Sequence, residues 1–162
     1  MQKLLVQACC GPCACAPMPI NDYCTMFFYN GDNMDTRNEY DARFYTLQTV
    51  ADTKGIGIVA DYYTGPKEFD TCQDCIRYRL RKCAEAVKRN DFDCFTTTLT
   101  VSPHKDTVMV NRIGREVAVE YGIPFLEFDL KKNNGFQASV QKSKELGLYR
   151  QKYCGCAKSV RQ

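Results

Sequence analysis

Short runs of apolar residues recur along the chain, and longer segments with helical spacing of their apolar positions separate them. The runs are rich in β-branched and aromatic residues and are too short for helices, so each one predicts a β-strand. The predicted strands cover residues 3–8, 24–29, 57–63, 93–98 and 124–130.

The segments between these runs carry apolar residues three and four positions apart, which gives a helix one buried stripe. The predicted helices cover residues 38–54, 74–89, 106–121 and 137–146. Alternating strands and helices predict an α/β fold with a doubly wound, mostly parallel five-stranded sheet in one domain, residues 1–162. Ligands of such sheets bind beyond the carboxyl ends of the strands, where the stretch VQACCGPCACAP begins.

Composition narrows the class of protein. Apolar residues make up 44% and charged residues 25% of the 162 positions, which is ordinary for a globular protein. No apolar run approaches the roughly 18 residues of a membrane span. The start of the chain lacks the length and cleavage site of a secretory signal, so we expect a cytoplasmic protein. The net charge of +3 permits an anionic partner without requiring one.

Cysteine is the residue type that points to chemistry, because the chain has 11 of them. In a reducing compartment they indicate metal ligands or redox groups rather than a disulfide framework. Cys9 and Cys10 are adjacent, and Gly11-Pro12 breaks the strand so that both thiolates can reach one centre. Cys72 and Cys75 have the spacing of paired ligands. These four thiolates suit a Cys₄ zinc site or a 4Fe–4S cluster, and the adjacent pair favours the iron–sulfur cluster. That the four cysteines are free thiols stays a third alternative.

A second cysteine pair stands near the other end of the chain. Cys154 and Cys156 are separated by one glycine, so a disulfide between them would close a very small, readily reduced ring. The pair is therefore a candidate for redox chemistry, with two further metal ligands or two chance thiols as alternatives. The role of Cys13, just beyond the Gly-Pro turn, is open. The other cysteines are interpreted as small apolar residues or bystanders: Cys15, Cys24, Cys83 and Cys94.

Several motifs together resemble the QueH-type epoxyqueuosine reductases over nearly the whole chain. ACCGPC follows the first predicted strand, FFYN ends the second, and EYDAR lies at residues 39–43. CQDCIRYRL spans residues 72–80 and FDCFTTTLTVSPHK spans residues 92–105. The most specific part is LYRQKYCGC, within residues 135–159. The chain departs from the family where Ile76 follows the CxxC motif in place of a common tyrosine, and where a family NPNI turn reads NGDN.

The resemblance implies a reductase that removes the epoxide oxygen of epoxyqueuosine at the wobble position of tRNA, giving queuosine. It also implies a fold similar to the adenine-nucleotide α-hydrolase group and an external electron donor. A 4Fe–4S cluster is implied at Cys9, Cys10, Cys72 and Cys75, with an additional iron beside it whose ligands the sequence does not place. A redox-active disulfide is implied between Cys154 and Cys156.

Further roles are assigned by residue type. Proton donors are required, and Tyr153, Asp129 and Glu39 are candidates, although Glu39 also suits the first turn of a helix. RNA loops are bound by basic and aromatic side chains. The basic candidates for tRNA are Arg79, Lys105 and Arg150, with Arg81, Lys152, Lys158 and Arg161 as further ones. A basic rim is expected from Lys131, Lys132, Lys142 and Lys144, and His104 is expected on a loop.

Two other functions compete with the reductase. A cluster-dependent desulfidase of thiolated bases would use similar thiolates, but its chemistry is not net redox and needs no dithiol. A zinc-stabilised RNA-binding module would be a colourless protein without iron.

Overall fold

Four parallel strands form the centre of the structure, a computed structural model that describes residues 1–151 and 153–156. The strands are β1 (Gln2–Gln7), β2 (Tyr23–Tyr29), β3 (Ile58–Ala60) and β4 (Cys94–Thr97). They pair in the order β3-β2-β1-β4, so β1 has neighbours on both sides. This order is the beginning of the doubly wound pattern, in which the chain reverses direction across the sheet beside β1.

Five helices accompany the sheet in the described part of the chain. They are α1 (Gly11–Ala14), α2 (Arg37–Lys54), α3 (Cys72–Arg89), α4 (Thr107–Tyr121) and α5 (Gly135–Glu145), with 3₁₀ turns at Leu99–Val101 and Lys132–Asn134. The four predicted helices are present with small shifts at their ends, and α1 is a single turn. Hydroxyl and carboxylate caps fix the starts of the long helices: Thr36 accepts from Glu39 N at 3.0 Å, and Thr71 accepts from Asp74 N at 3.1 Å.

The two faces of the sheet bury separate sets of side chains. Leu5 and Phe95 point to the face covered by α3 and α4, where Leu80 and Ile113 are fully buried. Leu4, Val6 and Phe27 point to the opposite face with α2, whose buried apolar residues include Leu47, Val50 and Ala51. Because neighbouring strand residues alternate between faces, the short apolar runs supply both layers at once. No helix in residues 1–151 and 153–156 is both long and apolar enough to span a membrane.

The prediction of a fifth strand at residues 124–130 is wrong. The segment makes one parallel bridge, between Phe95 and Phe125, supported by backbone bonds from Phe95 N to Pro124 O and from Leu126 N to Phe95 O. The carbonyl of Leu126, which would continue the ladder, instead accepts the hydroxyl of Thr96 at 2.7 Å. The ladder therefore stops after one step, and the aromatic pair Phe95–Phe125 packs the segment against the sheet at 5.0 Å between ring centroids.

We predict that Gly114→Ala in α4 destabilises the protein by about 1–3 kcal/mol, because a methyl group there would overlap the ring of Phe125. Chemical denaturation measures the loss. The matched control on the same helix is Val119→Ala, whose side chain is 85% exposed and whose effect should stay within about 0.5 kcal/mol. Equal stabilities of the two variants would contradict this packing.

Candidate metal and thiol site

One pocket of about 760 Å³ lies at the carboxyl ends of the strands, and cysteines from three distant parts of the chain line it. Cys9 and Cys13 follow β1, Cys72 and Cys75 begin α3, and the pair of Cys154 and Cys156 comes from the end of the described chain. The parallel sheet explains the meeting point, since every loop that follows a strand emerges at the same edge.

The thiols of Cys9, Cys10 and Cys13 form the tightest group, with all three sulfurs within 4.8 Å of one another. The sulfurs of Cys9 and Cys10 are 3.8 Å apart. Cys10 is extended, and α1 starts immediately after it with Gly11-Pro12, so the chain turns back and brings Cys13 to the other two. The turn needs Gly11, because a side chain there would overlap the backbone of Thr46.

The three thiols differ in the direction in which their surroundings shift the pKa. Hydrogen bonds from Cys10 and Cys13, with help from the cations Arg79 and Arg43, lower the pKa of Cys9. Cys10 is favoured as a thiolate by Cys13, but the bond to Cys9 and burial outweigh that effect and raise the pKa of Cys10 to about 12. Bonds to Cys10 and Cys9, and then burial, raise the pKa of Cys13. A metal that binds here would displace protons from the group.

The second ligand pair sits on the first turn of α3. Cys72 and Cys75 are three residues apart, which places them on one face of the helix, and both line the pocket. Cys75 is buried and Cys72 is exposed. Burial raises the pKa of Cys75 despite the opposing influence of Arg79. Three of the four residues predicted as cluster ligands, Cys9, Cys72 and Cys75, thus line one pocket. The fourth, Cys10, does not line it but lies beside Cys9. The closest group of thiols contains Cys13 in addition to Cys9 and Cys10.

Lys105 joins the thiols of α3 to those of the chain end. Its Nζ donates to Cys72 Sγ at 3.3 Å and to Cys154 Sγ at 3.5 Å. Burial acts to lower the pKa of Lys105, but Cys154 and Cys72 outweigh it and raise the pKa, so the ammonium stays charged. Lys105, which was expected to contact substrate, lines the pocket, and its ammonium bridges two thiols there.

Arg79 is a buried cation without a complete set of partners. It is 2% exposed, lines the pocket, and its Nε and Nη2 have no hydrogen-bond partner in the described part of the chain. Burial would lower the pKa of Arg79, yet Cys75, Cys154 and Cys9 raise it above its usual range. An unpaired buried guanidinium demands a nearby anion. The donor set of soft thiolates with this counter-charge fits a metal–thiolate centre.

The segment with the second cysteine pair is hydrogen-bonded to Cys10 and to the buried Arg43. Gln151 Nε2 donates to Cys10 Sγ at 3.0 Å, and Arg43 donates to the carbonyls of Tyr153 and Cys154. Cys154 is a free thiol. Sequence reasoning gave Gln151 and Arg43 no functional role. The motif EYDAR, which ends in Arg43, was the available signal.

The remaining candidates occupy varied positions. Tyr153 donates its hydroxyl to Asp35 at 2.8 Å, and Glu39 is bonded to Arg43 and Tyr149. Arg150 and His104 line the pocket. The following do not line it: Asp129, which accepts from Lys131 N; Arg81, which pairs with Glu120; and Lys131, whose Nζ bonds the 100–107 loop. Three basic candidates, Lys152, Lys158 and Arg161, lie outside the described residues.

One carboxylate after β2 connects the segments that lead to the rim of the pocket, next to the lining residues Asn33 and Lys67. Asp32 accepts from Thr64 N at 2.9 Å, from the Tyr78 hydroxyl at 2.8 Å and from Asn30 Nδ2 at 3.4 Å. Burial opposes ionisation, but the bonds from Thr64 and Tyr78 outweigh it and lower the pKa of Asp32 below its ordinary value of 3.8. Asp32 lies in the NGDN turn, where the sequence departs from the family pattern, so the chain builds this rim with its own residues.

Fold and site together define an α/β protein with a thiol-lined pocket that could hold a metal, at the carboxyl edge of a parallel sheet. The family model described as "Epoxyqueuosine reductase QueH" matches residues 4–162. A relative of that name from Streptococcus pyogenes serotype M1 is 33% identical, over 95% of this chain and 69% of its own. One from Thermotoga maritima is 30% identical, over 99% of this chain and 91% of its own. The chain belongs to the QueH family.

We predict that Asp32→Asn lowers the free energy of unfolding by about 1–3 kcal/mol at neutral pH. The folded pKa lies below the unfolded one, so the carboxylate stabilises the fold above pH 3.8 and this contribution is lost as the pH falls through the folded pKa. Urea denaturation across this range should show the difference from wild type shrinking in acid. The exposed control Asp41→Asn should change stability little, and a pH-independent difference for Asp32→Asn would contradict the role.

Proposed function

We propose that the chain is an epoxyqueuosine reductase, which removes the epoxide oxygen of epoxyqueuosine in tRNA and gives queuosine. One observation carries the proposal in this member of the family: cysteines from both ends of the chain line a single pocket. The reaction breaks two C–O bonds, forms an alkene and releases water, and so consumes two electrons and two protons. Side chains alone do not deliver low-potential electrons, so a bound cofactor is required.

The proposed cofactor is a 4Fe–4S cluster held by Cys9, Cys10, Cys72 and Cys75. When bound, it would supply single electrons at low potential. An additional iron beside the cluster would supply the Lewis acid that holds the oxygen. The chain contributes thiolates on rigid elements and the buried charge of Arg79 beside them. Cys13 is proposed to act beside the centre, because its sulfur lies within 4.8 Å of those of Cys9 and Cys10. We also propose an additional iron beside the cluster.

The second cysteine pair is proposed to handle the electron pair. Two thiols, Cys154 and Cys156, would lose two electrons and two protons as their disulfide forms, and an external reductant would reverse the change. The ammonium of Lys105 donates to Cys154 Sγ at 3.5 Å, so a positive charge lies beside the sulfur that starts this step. Tyr153 stays a predicted proton donor, with its hydroxyl directed to Asp35.

The substrate side of the pocket carries positive charge. Lys105 and Arg150 line the pocket and are proposed to face the anionic tRNA, whereas Arg79 is too enclosed for a tRNA phosphate and serves the thiolates.

A tRNA substrate and a thiol centre both suit a reducing cytoplasm, which we propose as the location. We also assign the fold to the adenine-nucleotide α-hydrolase group, because the order β3-β2-β1-β4 opens a crevice beside β1.

The alternatives receive less support. A desulfidase would leave Cys154 and Cys156 without a role, although both line the same pocket as Cys9. The decisive experiment incubates anaerobically reconstituted protein with epoxyqueuosine-containing tRNA and a strong reductant, followed by mass spectrometry of the nucleosides. We expect conversion to queuosine. Cluster-loaded protein that leaves the epoxide intact would refute the proposal.

We predict that Cys72→Ala abolishes the brown absorbance and the iron content of about four atoms per chain. The reason is that removing one thiolate leaves an incomplete ligand set. Iron and acid-labile sulfide analysis after anaerobic purification measures the loss. The matched control is Cys24→Ala, also an exposed cysteine but in β2, which should keep both signals. Wild-type protein that contains zinc and no iron would contradict the cofactor assignment.

We predict that Cys154→Ser keeps the cluster absorbance and stops multiple turnover, because the hydroxyl cannot close a disulfide. Turnover of tRNA at equal iron content measures the effect. Cys83→Ser, which alters a fully buried cysteine of the core, serves to separate loss of redox chemistry from loss of stability. Full turnover by Cys154→Ser would remove the dithiol from the mechanism.

A further inference from the structure

A buried arginine on α2 is bonded directly to the segment that carries the second cysteine pair. Arg43 is 1% exposed. Its Nη1 donates to the carbonyl of Cys154 at 2.7 Å, its Nη2 to the carbonyl of Tyr153 at 2.8 Å, and its Nε to Glu39 Oε1 at 2.7 Å. One planar guanidinium thus holds three acceptors at once, which the point charge of a lysine does not do.

Neighbouring groups fix this guanidinium in turn. The hydroxyl of Tyr149 donates to Glu39 Oε2 at 3.0 Å, so the carboxylate that orients Arg43 is itself held. The guanidinium carbon lies 5.4 Å from the ring centroid of Tyr153, within range of a cation–π contact. Glu39 is thereby engaged in orienting Arg43, which accounts for a carboxylate that sequence reasoning weighed as a proton donor.

The opposite side of the segment is held by the loop after β2. The amide of Asp35 donates to the carbonyl of Gly155 at 2.8 Å, and the hydroxyl of Tyr153 donates to Asp35 Oδ1 at 2.8 Å. Gly155 has a φ of 116°, and a Cβ there would overlap Met34 Sδ and lie 3.1 Å from the guanidinium of Arg43. Only glycine fits between the two cysteines without displacing this contact.

Holding residues 153–156 against α2 does not require a buried charge. Apolar packing would hold them without the cost of desolvating a guanidinium. What a fixed fork adds is direction, since each of its bonds constrains a carbonyl in space. The two carbonyls it holds belong to Cys154 and to the residue before it. The Sγ of Cys154 then lies 3.5 Å from Lys105 Nζ, on the side of the pocket occupied by Cys72.

We infer that Arg43 is the positioning residue of the electron-handling dithiol, with Glu39 and Gly155 as its supports. The inference rests on the proposed function, in which Cys154 and Cys156 supply two electrons and two protons as their disulfide forms and an external reductant restores them. Arg43 touches neither substrate nor metal ligand side chains in this role. It keeps Cys154 facing the thiol centre, where a misplacement of about 1 Å costs on the order of 100-fold in rate.

Two variants that act from opposite sides test the inference in cluster-loaded protein. Arg43→Lys keeps the charge and loses the fork, and Gly155→Ala keeps Arg43 and pushes the segment away from it. We expect kcat to fall about 10- to 100-fold in both, with KM for tRNA and iron content at wild-type values. The matched controls are Arg37→Lys, from an exposed pair with Asp41 on the same helix, and Gly147→Ala, another positive-φ glycine but in open space.

A second measurement needs no cofactor or activity. Hydrogen exchange of the Asp35 amide, which bonds to Gly155, should accelerate in Arg43→Lys and Gly155→Ala and stay unchanged in both controls. This readout tests whether Arg43 and Gly155 hold the segment in place even if wild-type protein fails to convert tRNA. Unchanged exchange in both variants overturns the inference.

Activity measurements distinguish failure of the positioning role of Arg43 from failure of the proposed function. If Cys154→Ser is inactive while Arg43→Lys and Gly155→Ala match wild type per iron-loaded molecule, the inference fails and the proposed function stands. If Cys154→Ser is fully active, the dithiol mechanism fails, and the inference fails with it. A lower melting temperature with an unchanged kcat would mark Arg43 as a purely structural residue and would also overturn the inference.

Discussion

The parallel pairing of four strands is the constraint on which the site depends. Because β1 lies between β2 and β4 and all run in one direction, the loops after them emerge at one edge. Cys9 and Cys10 end the loop after β1, the turn containing Asp32 follows β2, and the segment with Lys105 follows β4. Residues far apart in the sequence thus meet without any long connection, in the crevice where doubly wound sheets bind their ligands.

The charges around the pocket also favour thiolates. The pocket places soft thiols beside the buried cations Arg79 and Arg43 and the half-buried Lys105. In a low-dielectric site these charges are favourable only when anions accompany them, so cations and thiolates stabilise one another. A bound cluster would add negative charge to the same place, and the cations would then favour electron uptake. Soft thiols beside buried cations therefore suit an anionic metal–thiolate centre.

Much of the fold was predictable from the sequence because it follows from local pattern. The alternation of short apolar runs and helical stripes predicted four strands and four helices. The fifth strand was wrong because one tertiary bond, from the hydroxyl of Thr96 to Leu126, ends the ladder, and apolar pattern does not encode such a bond. In the site, cysteine spacing predicted two ligand pairs, and the structure brings Cys9, Cys72 and Cys75 to one pocket with Cys10 beside Cys9. The closeness of Cys13 and the reach of Arg43 depend on a turn and on contacts between distant segments, which spacing does not encode.

The convergence of distant segments of the chain on one thiol site is the central claim, and a chemical cross-link tests it most directly. Cys72 and Cys154 both lie within 3.5 Å of Lys105 Nζ. Metal-free, reduced protein treated with a short thiol-bridging reagent and analysed by peptide mass spectrometry should yield a bridge between these two cysteines, and none to Cys83 in the core. Bridges confined to neighbours in sequence, within residues 9–13 or within residues 154–156, would contradict the account.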